Sequence, residues 1–337
     1  MTDITQTPPR QRKPSAAAAL LQSRYAGALV SLIVISIFLY LYQPVFLTWP
    51  NLMNIVKSNS VAFILALGAT FVVISGTVDL SFGSATTAAA MVFGLLLING
   101  TPLHLAIFGA LVAGGLLGAI NGYLVSYAKI SFFVVTLGTL SVFQSGALIM
   151  NDGGSYSVFS QPTFKALNTF VNGNVGPVPI ILIFDAVLFL IAGGVLRYTS
   201  FGRALYAIGS NPEAARLNGI NVRRVLFMVF VISGVTAGLA SVVQVGRLTV
   251  ASPEVDLNLL LTVLAAVLIG GTAMTGGEGG VLGTLIGMLF LGVVQNGLTL
   301  TGVSSFWQGT LSGGILIFSV WLGGVRGMLR SRRQAKL

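Results

Sequence analysis

Runs of apolar residues recur along the whole chain, and no other feature restricts the possible folds as much. A helix needs about 20 apolar residues to cross the hydrocarbon core of a bilayer. Runs near that length lie at 26–43, 60–76, 82–98, 103–126, 131–150, 178–196, 224–245, 259–271, 281–300 and 305–325. They predict an all-α polytopic membrane protein of about ten transmembrane helices, with 25–325 as the membrane domain. The eighth run is short, and Gly270-Gly271 at its end predicts a helix that breaks or inserts only partly. The polar segment 51–59 either extends the second helix or lies at the interface. Composition agrees: 55% of the residues are hydrophobic and 8% charged, and glycine numbers 42. Soluble domains carry about 25% charged residues, and Gly is more frequent in membrane helices than in soluble ones.

The net charge of +10 does not point to nucleic acid. The basic residues sit in short segments between apolar runs, with no basic stripe and no interleaved aromatics. The absence of cysteine excludes disulfides and thiolate sites, and a single histidine, His104, argues against a histidine-based metal or proton-relay site. Residues 1–24 read as a disordered tail, followed by an uncleaved first helix. All Lys and Arg except Lys57, Lys165 and Arg247 fall on one side if the amino terminus is inside. The positive-inside rule then places both termini in the cytoplasm, including a basic tail at 326–337. The longest outer loop, 151–177, separates two five-span halves. At an offset of 174 residues, Leu117-Gly118 matches Leu291-Gly292, Ser131-Phe132 matches Ser305-Phe306, and Thr136-Leu137 matches Thr310-Leu311. The two copies would run in opposite directions, as inverted repeats do in many transporters.

The most informative polar segment is 197–224. Asn211 suits an N-cap and Pro212 the first helical position. Glu213 favours the positive end of the helix dipole, Ala214, Ala215, Arg216 and Leu217 propagate the helix, and Gly219 is placed to end it in a left-handed cap. A helix of about two turns is unstable alone in water, so it needs something to dock on.

This segment resembles the cytoplasmic coupling region of the ribose-type permeases of bacterial sugar ABC importers. Ser75-Gly-Thr-Val-Asp-Leu-Ser-Phe-Gly-Ser84 resembles the signature after that family's second helix. Gly270-Gly-Thr-Ala-Met-Thr-Gly-Gly-Glu-Gly-Gly280 is similar to its glycine-rich loop, and Gln295-Asn-Gly-Leu-Thr-Leu-Thr-Gly-Val-Ser-Ser305 to the stretch leading into its tenth helix. The resemblance runs from about residue 45 to 325. Thr262 stands where the family tends to carry an acidic residue, and Glu278 where it often has a basic one. The resemblance implies a type II importer-like fold in a bacterial inner membrane. It also implies a second identical or related permease subunit, a periplasmic solute-binding protein and a cytoplasmic ABC ATPase. Gly202, Arg203, Gly209, Asn211, Pro212, Glu213, Ala214, Ala215, Leu217 and Gly219 become candidate ATPase-coupling residues.

The chain lacks a Gly-x-x-x-x-Gly-Lys-Ser/Thr loop, so ATP with its magnesium is expected on the partner subunit and no cofactor on this chain. Nothing in the sequence marks an enzyme: there is no Gly-x-Ser-x-Gly and no carboxylate cluster. Polar residues inside the apolar runs are candidates for the pathway or its gating: Asp79, Asn121, Gln144, Gln244, Gln295 and Asn296. A carboxylate at membrane depth is by default a functional hypothesis. For Asp79 the competing reading, and the preferred one, is an N-cap of the third helix. Asp185, midway along the sixth run, suits a local polar contact as well as a transport role. An ion-coupled carrier or a passive channel for a small neutral solute is the alternative. The first would need more ionisable groups in the spans than Asp79 and Asp185.

Overall fold

The computed structural model of the chain describes residues 25–304, 307 and 309–318. The tails expected at 1–24 and 326–337, the 319–325 end of the tenth run, and Ser305-Phe306 of the internal repeat lie outside the described residues. Among the described residues six helices are long and apolar enough to cross a membrane: α2 (Trp49–Ile74), α4 (Leu103–Ser126), α5 (Phe132–Ile149), α7 (Ile180–Tyr198), α10 (Val222–Leu248) and α12 (Val281–Leu300). Four shorter apolar helices accompany them: α1 (Ala26–Tyr42), α3 (Phe82–Ile98), α11 (Leu257–Ile269) and α13 (Gly309–Phe318). Three further helices are polar or amphipathic: α6 (Phe164–Asn172), α8 (Ser200–Ser210) and α9 (Pro212–Leu217). Every apolar run is met by a helix.

Two boundaries depart from the sequence reading, and one choice it left open is decided. The second helix starts at Trp49, with Pro50 in its first turn, so 51–59 is helical. Its polar side chains hide it from hydropathy because they serve the chain around them. Asn51 Nδ2 donates to the Phe46 carbonyl at 2.8 Å, and Lys57 Nζ to the Asn172 carbonyl at 3.2 Å. The expected loop 151–177 contains α6, which buries Phe164, Leu167 and Val171. Around it, β1 (Tyr156–Ser157) pairs antiparallel with β4 (Val250–Ala251), and β2 (Asn174–Val175) with β3 (Val178–Pro179). The chain is therefore not strictly all-α, although the strands are two residues each. The coupling segment holds two helices, α8 and α9, where one was expected.

Burial separates the helices into an inner and an outer set. The apolar stretch of α2 is 72% buried, against 22% in α4 and α7, so α2 is the central post. α10 and α12 stand beside it. The outer helices turn Phe108, Leu116, Val142, Leu190 and Ile191 outward, as lipid-facing surfaces do. α4 crosses α10 at backbone distance, through Gly114 and Gly118 against Gly234 and Gly238. A Cβ on Gly118 would stand 3.0 Å from the Gly234 Cα, so the contact requires glycine. Apolar burial adds little to helix association in lipid, and such close packing is what holds membrane helices together.

α11 is 13 residues long, about 20 Å at 1.5 Å per residue, too short for a hydrocarbon core of about 30 Å. It stops at Gly270, and Gly271 turns the chain at φ +87°. The break expected from Gly270-Gly271 is there.

Candidate functional site

Two polar regions stand at opposite ends of α10, a 27-residue helix about 40 Å long. The first is the α8–α9 end. Asn211 Oδ1 accepts from the Glu213 and Ala214 amides at 3.1 and 3.0 Å, which caps α9. At the other end the Gly219 amide bonds the Arg216 carbonyl and the Ile220 amide the Ala215 carbonyl, with Gly219 at φ +81°. That double bond pattern is the Schellman stop, and the left-handed residue in it favours glycine. So short a helix is thus closed at both ends before it meets any partner. Ala215 is buried beneath it, whereas Leu217 is 76% exposed. The exposed face also carries the pair Arg216–Glu213, 2.6 Å apart. Hydrogen bonding to Arg216, reinforced by its charge, holds the Glu213 carboxyl below the usual carboxylate range.

α8 connects this helix to the membrane core. Thr199 caps it by accepting the Gly202 amide at 3.1 Å, and Arg203 reaches the Tyr198 carbonyl at 3.5 Å. Its carboxyl end, at Gly209, enters a junction made of backbone. A Cβ on Gly209 would collide with the Ile74 carbonyl of α2 and the Gly277 amide, and would stand 3.0 Å from the Gly277 Cα. The Gly277 amide donates to the Ile74 carbonyl at 2.8 Å, and Tyr206 Oη to the Gly279 carbonyl at 3.0 Å. α8, the end of α2 and the glycine-rich loop 270–280 therefore meet backbone to backbone at Gly209 and Gly277, and the Tyr206 side chain ties α8 to the loop beside them.

From this junction the chain runs directly to Asp79. Its Oδ1 accepts the Ser81 amide at 2.9 Å and the Ser81 hydroxyl at 2.7 Å, while Oδ2 accepts the Ser233 hydroxyl of α10 at 2.9 Å. Asn121 Nδ2 of α4 donates to the same Ser81 hydroxyl at 2.7 Å. All four residues are buried. The preferred reading of Asp79 as an N-cap is corrected here. Ser81 is the N-cap residue of α3 and makes no side-chain cap. Asp79 instead ties the α2–α3 turn to α10, and Ser81 ties it to α4. A carboxyl group this deep is tolerated because three donors converge on its two oxygens.

The second region is a cavity of about 250 Å³ at the other end of α10. Its polar lining comes from α2 (Ser58, Asn59), α10 (Gln244, Arg247), α11 and its cap (Asp256, Asn258, Thr262), α12 (Gln295) and α13 (Ser312). Arg247 Nη1 donates to the Ser58 carbonyl at 2.7 Å, and Asp256 Oδ1 caps α11 by accepting the Asn258 and Leu259 amides. Thr262 and Ser312 hydroxyls lie 3.1 Å apart, and Gln295 Nε2 approaches Thr262 at 3.5 Å. The Gln244 Oε1 atom is buried without a partner.

Of the six pathway candidates, the structure brings Gln244 and Gln295 into this cavity and places Asp79 and Asn121 in the buried cluster. Gln144 Nε2 bonds the Pro253 carbonyl at 2.9 Å, and Asn296 forms a reciprocal amide pair with Asn51, at 2.9 and 3.0 Å. Asp185 is buried on α7 beside Ser60 of α2. Sequence reasoning did not single out Ser233, Asp256 or Asn258. Asp256 ahead of an apolar run is a readable cap signal. Nothing local distinguishes Ser233, whose role depends on a partner far away in sequence. Among the described residues no group of three or more His, Asp and Glu side chains is placed to hold a metal ion.

Residues 51–320 match the family described as branched-chain amino acid transport system / permease component. The chain is 34% identical over 305 residues to the D-allose transport system permease protein AlsC of Escherichia coli, covering 90% of this chain and 92% of that one. It is 34% identical to the ribose import permease protein RbsC of Bacillus subtilis, over 88% of this chain and 91% of that protein. It is also 32% identical to the L-arabinose ABC transporter permease protein AraH of Azospirillum brasilense, over 97% of each. No solved structure matches it.

Proposed function

Because the chain belongs to this permease family, as a ribose-type permease subunit of an ABC importer, we propose that it moves a small sugar or sugar-like solute into the cytoplasm, driven by ATP hydrolysed on a separate ABC ATPase that docks at α8 and α9. The chain is a multi-pass inner-membrane protein and a permease component, not an enzyme. The names of its relatives, a D-allose transport system permease, a ribose import permease and an L-arabinose ABC transporter permease, support the solute class.

The observation that carries the coupling is the pairing of α9 with the glycine junction. α9 is capped at both ends and exposes Leu217 beside a charged pair. Through Gly209 its neighbour α8 bears on the end of α2 and on the loop before α12. Movement of α9 by the ATPase is then passed to the membrane helices through this backbone contact. Gly202, Arg203, Gly209 and the residues of α9 with Gly219 form the coupling surface. The ATPase binds ATP and its magnesium; this chain binds no cofactor. In the assembled transporter a second permease subunit completes the pathway, and a periplasmic solute-binding protein delivers the solute at the end away from α9. The membrane domain 25–325 has ten spans in two inverted five-helix halves, with both tails cytoplasmic. The basic residues supporting this orientation include Arg197, Arg203, Arg216, Arg223 and Arg224, all at the α8–α9 end. The knot at Asp79 and Asn121 acts in gating, and Gln144, Gln244, Gln295 and Asn296 belong to the pathway or its walls.

Leu217→Asp tests the docking. The variant places a charge on the exposed apolar spot without touching the membrane core. It is expected to insert normally while co-purification of the ATPase and solute-stimulated ATP hydrolysis fall by about tenfold or more, the scale of one lost interface anchor. Gly219→Pro, which cannot adopt the positive φ, should act in the same direction. Unchanged co-purification and hydrolysis in both variants would contradict the assignment.

A further inference from the structure

The link from β4 to α11, Ser252-Pro253-Glu254-Val255-Asp256, has no regular structure and does not stay at the surface. It starts where β1 pairs with Ala251. A Cβ on Gly94 of α3 would collide with the Ala251 side chain, Thr87 Oγ1 donates to the Glu254 carbonyl at 3.4 Å, and Val255 lies against Gly83. These three contacts step along α3 from near its end at Ile98 to near its start at Phe82. Thr87 is about three turns in from Ile98, so the strap carries Glu254 about 16 Å inward, near the middle of a hydrocarbon core of about 30 Å. We infer that the strap borders water inside the membrane, and that Glu254 stands there as a charge filter that repels anionic solutes from the pathway; this rests on the permease reading above.

The backbone gives the first reason. Non-helical chain at membrane depth persists only where it is buried in protein or lines a water-filled space. One side of the strap is served by side chains. Gln144 Nε2 of α5 donates to the Pro253 carbonyl at 2.9 Å, Thr87 to the next carbonyl, and Ser252 Oγ accepts the Glu254 amide at 3.3 Å. Pro253 has no N–H to satisfy. The other side is open, since Glu254 and Asp256 are exposed. Lipid cannot be what covers it.

Charge gives the second reason. Among the described residues the Glu254 carboxylate has no donor or cation at hydrogen-bonding or ion-pair distance, whereas the oxygens of Asp79 hold three donors. Ionisable side chains in membrane segments face a bundle interior or a water-filled cavity. The neighbouring surface agrees. Ser141 and Ser145, one turn apart on α5 beside Gln144, are exposed, where α4 and α7 show Phe108, Leu116, Leu190 and Ile191. Arg247 and Asp256, which line the adjoining cavity, are opposite in sign, so Glu254 is the unbalanced charge of this region. A charge on a low-dielectric wall acts strongly on whatever passes it.

The chain has no cysteine, so one introduced thiol reports on the strap alone. Ser141→Cys places a small thiol one turn from Gln144 and leaves the Gln144 bond to Pro253 intact. The full-length variant, assembled with its ATPase in proteoliposomes, is labelled with trimethylammonium-bearing and sulfonate-bearing methanethiosulfonates, added to each face in turn. Both reagents dissolve in water and not in lipid. The ratio of cationic to anionic rates, relative to the same ratio for a small free thiol, should be about tenfold, the scale for one fixed charge a few ångströms from reagents of opposite sign in water. Adding Glu254→Gln should bring the ratio near one, and Glu254→Asp should keep it; Glu254→Ala serves if the glutamine variant does not insert. The proposal is overturned if neither charged reagent reaches the thiol from either face while a lipid-permeant maleimide does, or if the ratio is unchanged when the Glu254 charge is removed. Labelling needs no ATP, so failure here leaves the Leu217 test of the coupling reading standing.

Discussion

The two ends of α10 are built on opposite plans. At the α8–α9 end, Gly209, Gly276 and Gly277 let three backbone segments touch, and the Asp79 cluster beside them spends each carboxylate oxygen on a named donor. At the far end, the cavity keeps side chains loosely partnered: Gln244 Oε1 has no partner and Gln295 only a weak one. Closely packed interiors transmit displacement because they cannot deform continuously. Weakly committed amides can exchange partners at small cost. Under the function proposed above, the difference is read as a division of labour, in which the first end carries force and the second borders the solute pathway.

That contrast predicts unequal sensitivity to substitution. The largest effect should come from Gly209→Val. The added side chain has no room between the Ile74 carbonyl and Gly277, and overpacking of this kind costs about 1–3 kcal/mol or more. Transport normalised to inserted protein should fall to near background. Full transport would show the junction to be soft and would remove the contrast.

The Asp79 series should come next. Asp79→Ala leaves the Ser81 amide, the Ser81 hydroxyl and the Ser233 hydroxyl without their acceptor, and a buried donor so stranded costs about 1–3 kcal/mol. The amount of folded protein should drop several-fold. Asp79→Asn keeps an oxygen for Ser81 and offers an N–H to the Ser233 oxygen, so folded protein should be near normal. Its uptake, normalised to inserted protein, then separates a structural tie from a gating charge: a tie predicts nearly full uptake, a gating charge a severe loss. Retention of both folding and uptake by the alanine variant would show that the tie is idle.

Much of this architecture is legible in the chain. Apolar runs announce the membrane helices, Asn211-Pro212 and Gly219 announce both ends of α9, and Gly270-Gly271 announces the break after α11. What is hidden depends on distant partners. Polar Asn51 and Lys57 leave the start of α2 open in the sequence, and their partners, Asn296 and the Asn172 carbonyl, are what the sequence does not show. Asp79 reads as a cap because its neighbour Ser81 is visible in sequence and Ser233 is not. Helix α6 is masked by the Asn, Gly and Ser around it, although Phe164, Leu167 and Val171 carry helical spacing. In the cavity, Gln244 and Gln295 stand out as amides in apolar runs. Their meeting with Asn258 and Ser312 is a fact of tertiary packing alone.

The central claim is that an ATPase docked at α9 changes, on binding ATP, the cavity about 40 Å away along α10. The direct test is the labelling rate of Ser58→Cys in the assembled transporter with its ATPase, measured with and without ATP, in an otherwise unaltered chain and together with Leu217→Asp. The account predicts an ATP-dependent change in rate that disappears with Leu217→Asp, while the rate without ATP stays the same. An ATP response that persists undiminished in the Leu217→Asp chain, or no response in the unaltered one, would contradict it.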